Sequence, residues 1–510
     1  MNNRSFALGA WLAATLLLSE LPAAPKNIVL IVADDHGVDL GCYGNSVIKT
    51  PNIDALAAEG VVMDRAFCTT ASCSASRSVI LTGLHNHANG QYGHQHDFHK
   101  FSAWANAPSL PAYLRAAGYR TARCGKFHVA PESAFHFSRV LPERNTQGSL
   151  QQQLDRNPVA QADACRDFIA EQSEQPFFLY FCTNDPHRSE EVDETSPLEL
   201  KPNRFGNQAD LPGGEVVTYQ PAEVIVPPFL PDTPECRAEL AQYYQAVSRV
   251  DQGVGRLIKH LQDAGVYDET LVMYISDHGI AMPGAKTTLY EPGMRIPCII
   301  RNPRAAKRGL HSSAMVSLVD LTPTLVEFAG ATDRAGIVKP EVLQKVSAEI
   351  ARQPGEARNP KLTPAQFHGR SFLSALEEPV PAEWNEVNAS HTFHEITMYY
   401  PMRVVRETRY KLIWNLAAPL PFPFASDLWV ASTWQAQYRQ GLSARYGQRS
   451  VGSYLQRSPF ELYDLQTDPD ESHNLANDPA QAKNLARLKQ KLRAFQVKTR
   501  DPWVLKWDYE

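Results

Sequence analysis

The chain has 510 residues, of which 43% are apolar and 21% charged, with 37 Pro and 28 Gly dispersed along it. That length points to two to four domains with substantial cores, and the composition is that of a globular protein, which excludes a small disulfide-stapled scaffold and a disordered or fibrous chain. Fifty Lys plus Arg against 55 Asp plus Glu leave a formal charge of −5 without a long basic run, so nucleic acid is excluded as a partner.

Residues 1–23 read as a signal peptide. Arg4 supplies the positive start, Phe6 to Leu18 is an apolar run too short to span a bilayer, and Leu21-Pro22-Ala23-Ala24 offers small residues for cleavage. The expectation is a secreted or periplasmic protein without stable membrane insertion, because later apolar runs have strand length. Export makes disulfides chemically available. The eight cysteines, at 42, 68, 73, 124, 165, 182, 236 and 298, show neither CxxC nor short-domain spacing, and they leave the pairing and the oligomeric state open.

Lys26 to Ala33 is a continuous β-branched run of the kind buried on both faces of a parallel sheet, and it ends in Asp34-Asp35-His36-Gly37. Thr50 to Gly60 reads as a capped helix with Pro in its first turn and Gly at its end. The alternation continues with a helix over Leu110–Ala117, a strand near Tyr119–Ala122, a helix over Asp163–Glu174 and a strand over Phe177–Cys182. A long amphipathic helix over Cys236–Ala264 then leads to a strand over Thr270–Ser276, which ends in Asp277-His278-Gly279. This pattern predicts an α/β fold whose large, mostly parallel sheet is flanked by helices, with its ligand site beyond the carboxyl ends of the strands. Residues 330–366, rich in charge and Pro, read as a surface insertion. From residue 379 the pattern changes to half-exposed strands over Val404–Ile413 and Glu461–Leu465, then a helix over Ala480–Val497. The expected division is a catalytic domain over 25–378 and a smaller α+β domain with an antiparallel sheet over 379–510.

One acidic pair would be a helix cap or a solvated loop. Two pairs at the ends of two buried strands bring Asp34, Asp35 and Asp277 together with His278, and such oxygen-rich clusters suit a hard dication, Ca²⁺ or Mg²⁺. Cys73 on its own would be a small buried hydrophobe or one half of a disulfide.

Cys73-Ser74-Ala75-Ser76-Arg77, followed by Leu81-Thr82-Gly83, resembles the signature of the formylglycine-dependent sulfatases, in which the Cys is oxidised to an aldehyde. Further landmarks similar to that family are Asp39-Leu40-Gly41, Thr50-Pro51-Asn52, Gly125-Lys126-Phe127-His128, Asp185-Pro186-His187, Lys286 and Tyr290-Glu291-Pro292-Gly293. The resemblance runs from about Asn27 to Trp503 and implies the alkaline-phosphatase-like sulfatase fold. His394 to Arg403 and Asp501-Pro502-Trp503 resemble the N-sulfoglucosamine sulfohydrolases, or sulfamidases, within it. Two positions depart from that subfamily, His278 where sulfamidases carry Asn and Lys286 where they carry Arg, and both match the wider sulfatase pattern. They leave open whether sulfate departs from nitrogen or from oxygen.

The resemblance implies a mechanism. A hydrated aldehyde at position 73 attacks sulfur with one hydroxyl, and deprotonating the other expels sulfate. Asp34, Asp35, Cys73, Asp277 and His278 would hold the metal, and Arg77, Lys126 and Lys286 would stabilise the transferring group. His128 would handle the proton of the diol, and His187, with a pKa near neutrality, would protonate the leaving group. Asp185, His394 and Glu395 would contact the saccharide. The expected partners are a formylglycine-generating or sulfatase-maturating enzyme and a sulfated saccharide, with the N-sulfate at the non-reducing end of heparan or heparin fragments as the foremost substrate. Rival readings are an O-sulfatase, a phosphate or phosphonate monoester hydrolase, and a non-catalytic glycan-binding protein. The run His85, His87, His94, His96 and His99 reads as a polar rim of the pocket, since no H-E-x-x-H motif or companion Cys accompanies it to mark a zinc site.

Overall fold

β-branched runs build the centre of the molecule. The central sheet contains β1 (Asn27–Ala33), β2 (Val61–Phe67), β3 (Arg120–Gly125), β4 (Arg139–Leu141), β5 (Phe177–Cys182), β6 (Thr270–Ser276), β7 (Arg295–Ile296), β8 (Cys298–Arg301) and β9 (Leu310–Ser317). In the computed structural model, which describes residues 26–143, 156–189, 192–193, 196–200, 204–333, 335–355 and 357–509, their order is β7-β2-β8-β6-β1-β5-β3-β4, with β9 alongside β2. The signal peptide expected at 1–23 lies outside these residues.

β1 pairs in parallel with both β5 and β6, and Ile28 to Ala33 are wholly buried, as the sequence pattern requires. Each of the Ile, Val and Leu side chains among them contributes roughly 1.5–3 kcal/mol by leaving water. The surrounding helices include α1 (Pro51–Ala58), α2 (Cys73–Thr82), α3 (Leu110–Ala116), α4 (Pro158–Ala164) and α5 (Pro234–Asp263). α5 is 30 residues long, roughly 45 Å, and its buried face packs on α1 and α4. The helix expected over 163–174 is instead α4 and a short turn, Arg166–Ala170, broken at Cys165.

The second sheet is antiparallel, in the order β10 (Glu386–His391), β11 (Met402–Glu407), β12 (Tyr410–Asn415) and β13 (Phe460–Asp464). Its strands are buried on both faces, where half-exposed strands were expected. Leu488, Leu492 and Phe495 of the C-terminal helix Ala482–Thr499 cover Val405, Leu412 and Leu462 on one face, and Val404, Ile413 and Tyr463 on the other join the main core. Ion pairs also tie this sheet to the rest of the molecule, with Glu291, at the start of the short helix Glu291–Met294 before β7, binding Arg406 and Lys411. The stretch expected as a surface insertion contains a helix, Pro340–Arg352, that buries Val342, Val346 and Ile350 and packs beside α3. Its apolar residues recur at helical spacing, a signal that the charge and Pro content obscured. Among the described residues no helix is long and apolar enough to cross a membrane.

Candidate active site

The parallel register pairs Ala33 with Ser276, so Asp34 and Asp277 leave the sheet side by side, and Asp277 N donates to Ala33 O at 3.2 Å. Asp35 turns through a left-handed backbone, φ 61°, and its N donates to Asp277 Oδ1 at 3.1 Å. Cys73 opens α2, and Arg77, four residues on, shares its face. The buried Arg77 guanidinium binds Asp277 Oδ2 at 2.9 Å, Asp34 Oδ1 at 3.1 Å and the Lys126 carbonyl at 3.1 Å. β3 ends at Gly125, where φ is 81° and a Cβ would lie 1.9 Å from Cys182 O, so only glycine fits the turn that delivers Lys126 and His128. Lys126 Nζ pairs with Asp34 Oδ2. Lys286 Nζ binds Asp35 Oδ2 at 2.9 Å, Asp427 Oδ2 at 2.8 Å and His187 Nε2 at 3.0 Å. Cys73 Sγ lies 3.3 Å from His278 Nε2 and 3.6 Å from Asp35 Oδ1.

Burial opposes ionisation of every carboxyl here, yet Lys126 at Asp34 and Lys286 at Asp35 hold both below the ordinary range. At Asp277 burial prevails over Arg77, with Asp34 adding to it, and its carboxyl is pushed up to about 6. Burial also lifts the Cys73 thiol to about 11, so it keeps its proton near neutrality. Oxygens of Asp34, Asp35 and Asp277 lie within 4.8 Å of one another, as do ligand atoms of Cys73, Asp277 and His278. His278 Nδ1 donates to Gly279 O at 3.0 Å, which aims Nε2 at the centre. Three buried carboxylates converging on one point, one of them hard to ionise, are a donor set that a hard dication fits.

The cavity above this centre, of about 540 Å³, is lined by Asp34, Lys126, His128, His187, Arg156 and His96 among others. A larger cleft of about 720 Å³, beside His87 and His368, holds none of the expected catalytic residues. His187 Nδ1 donates to Arg188 O at 2.6 Å, which leaves Nε2 to accept from Lys286. Burial and Lys286 lower its pKa, so the near-neutral value expected of it is not what this arrangement gives. Burial and Lys126 likewise keep His128 neutral.

The expected saccharide contacts sit differently. Asp185 is fully buried and held by Arg249 at 2.9 and 3.0 Å and by Arg156 at 2.9 Å, so it is Arg156 that reaches the cavity. Glu395 Oε1 accepts from Ser426 N and Oγ at 2.9 and 2.8 Å, which positions the segment bearing Asp427. His394 lies beside the site, with Nδ1 3.0 Å from Ser72 Oγ and its ring 3.8 Å from that of His94. The histidine run divides. His94 and His96 line the active cavity, His99 Nδ1 accepts from Ile396 N, and His85 and His87 stack 5.5 Å apart in a separate group with His368. Sequence reasoning missed Asp427 and Arg156. Asp427 stands 141 residues from Lys286 in a segment without a motif, so no local signal marked it.

This fold and this centre define a sulfatase, a hydrolase of sulfate esters and sulfamates. Residues 26–331 match the family described as Sulfatase, and the chain belongs to it. The chain is 38% identical over 500 residues to the human N-sulphoglucosamine sulphohydrolase, covering 96% of this chain and 94% of the relative. A solved structure in complex with its substrate, D-glucosamine-2-N,6-O-disulfate, superposes with TM-score 0.63 at 20% identity, over 94% of this chain and 99% of the other. The phosphonate monoester hydrolase of Agrobacterium radiobacter superposes with TM-score 0.60 at 20% identity, over 93% and 96%. The two structures share the fold.

Proposed function

We propose that the protein is an exported sulfamidase that releases the N-sulfate from the non-reducing-end N-sulfoglucosamine of heparan or heparin fragments. The observation that carries this is the near end-to-end similarity to the human N-sulphoglucosamine sulphohydrolase, which extends through the C-terminal sheet and the segment bearing His394. Cys73, matured to formylglycine, supplies a pair of hydroxyls, one to attack sulfur and one whose deprotonation frees sulfate. Asp34, Asp35, Asp277 and His278 would hold a Ca²⁺ or Mg²⁺ ion, which contributes Lewis acidity at the sulfate oxygens.

The chain's own groups do the rest. Arg77, Lys126 and Lys286 converge on the Cys73 side of the cavity and offset charge that develops on the transferring group. His128, neutral and open to the cavity, takes up the hydroxyl proton. His187 Nε2, which accepts from the Lys286 ammonium here, would take up that ammonium proton and pass it to the leaving nitrogen, with Lys286 left neutral until it is reprotonated.

A second reading, with a sugar oxygen as leaving group, is favoured by His278 and Lys286, which follow the wider sulfatase pattern. The test compares N-sulfoglucosamine, its 6-O-sulfated N-acetyl counterpart, sulfated algal oligosaccharides and an aryl phosphate. Fastest turnover of the first upholds the proposal. Faster turnover of an O-sulfate moves the chain to the second reading, and preferred phosphate release removes it from sulfate chemistry.

A further inference from the structure

The sulfamidase reading employs His128 and leaves His94 and His96 without a role. The latter two come from the hairpin pairing Gln95–His96 with His99–Lys100, which turns at Asp97, φ 46°. Residues two apart on extended chain face the same way. The hairpin is pinned, with His94 N donating to His394 O at 2.9 Å and Gln95 N to Ser74 Oγ at 3.0 Å. One ring nitrogen each from His94, His96 and His128 then lies within 4.8 Å of the others, and His94 Nδ1 is 3.0 Å from His96 Nε2. His94 Nε2 and His128 Nδ1 are buried without a hydrogen-bond partner among the described residues, and His94 is only 5% exposed. His96 Nδ1 donates to Asp97 Oδ2 at 3.0 Å, the carboxylate–histidine pairing that leaves Nε2 as a lone-pair donor. Lys126 and Arg156 share the cavity, but each is paired, with Asp34 and Asp185 respectively.

We propose that His94, His96 and His128 form a second metal site, one for a borderline dication such as Zn²⁺, in the same cavity as the carboxylate centre. Imidazole nitrogens favour Zn²⁺, whereas the carboxylate-rich centre below, with three Asp to one His, favours Ca²⁺ or Mg²⁺. Three histidines leave a fourth position open to the cavity for water or an anion. The site is inhibitory, a consequence that rests on the sulfamidase reading, because a metal on His128 occupies the lone pair needed for proton transfer.

Titration calorimetry of the full chain with Zn²⁺, in excess Ca²⁺ to fill the carboxylate centre, tests the site without reference to turnover. Asp97→Asn is expected to weaken Zn²⁺ binding about 10–100-fold, and His96→Gln to weaken it further. Asp277→Asn is expected to leave it unchanged. The His96 side chain is 34% exposed on a rim hairpin, so its replacement leaves the core intact. In the matching assay Zn²⁺ slows sulfate release by wild type and loses that effect in His96→Gln. Unchanged Zn²⁺ affinity in His96→Gln, or loss of binding in Asp277→Asn, overturns the site. Zinc-free turnover tests the sulfamidase reading separately, so the two fail distinguishably.

Discussion

The floor and the wall of the catalytic cavity solve opposite problems. On the floor, Asp34, Asp35 and Asp277 are wholly buried, and each is paired with at least one of Arg77, Lys126 and Lys286. On the wall, His94 and His394 are buried and His128 is half-buried, desolvation lowers the pKa of all three, and two of their ring nitrogens lack partners among the described residues. A buried charge demands a fixed counter-charge, so the floor is rigid and its residues are bound to one another. Neutral imidazoles make no such demand, which leaves the wall free to receive a ligand. On the proposed reading the floor carries the nucleophile and the sulfate-binding charges, and the wall supplies His128 for proton transfer together with ring nitrogens open to a further ligand.

The sharpest way to break this contrast is at Cys73. Cys73→Ala is expected to bring sulfate release down to background while the melting temperature holds, because a small buried residue gives way to one nearly as small. Mass spectrometry of the peptide bearing Cys73 completes the test, since an active protein with an unmodified thiol would refute the proposed nucleophile. Next in size is His187→Ala. It is expected to slow sulfamates about 10²–10⁴-fold and activated aryl sulfates much less, because only a poor leaving group needs a proton. Equal losses on both substrates would remove His187 from the leaving-group side.

The floor was legible in the sequence because short-range rules produce it. Continuous β-branched runs announce β1 and β6, parallel pairing aligns their ends, and helical spacing sets Arg77 beside Cys73. The wall and the outer partners were not legible, because they arise from contacts between distant segments. Asp427 meets Lys286 across 141 residues, and His394 meets Ser72 across 322. Asp185 shows the same limit from the other side, since its place in a motif said nothing of the two arginines that bury it. The burial of β11 and β12 depended on what packs over them, and strand periodicity does not report that.

Asp427 offers a smaller, more selective perturbation of the floor from outside it. Asp427→Asn keeps an acceptor for Lys286 Nζ but removes a charge, and kcat is expected to fall about 10–100-fold with KM little changed. Glu395→Gln acts one step further out, through Ser426, and is expected to do less. An unchanged kcat in Asp427→Asn, or a change in KM alone, would mean that Asp427 does not position Lys286 for the chemical step.

The smallest expected effect separates Asp277 from its neighbours by pH. Its carboxyl, pushed up to about 6 by burial and then by Asp34, still holds in the folded protein a proton that the unfolded chain releases near 3.8. The stability this contributes is complete below the lower value and is lost as pH rises through the upper one. Asp34 and Asp35 are displaced the other way, so their contribution is present near neutrality and lost only in acid. A dication removes the cost of ionising Asp277 but competes with its proton. The gain in melting temperature on adding Ca²⁺ should therefore be slight near pH 5 and grow by a few degrees as pH rises through about 6, levelling off above it. Asp277→Asn should abolish that pH dependence while Asp427→Asn preserves it. A Ca²⁺ gain that is flat with pH in wild type would show that Asp277 is not the carboxylate whose ionisation admits the metal.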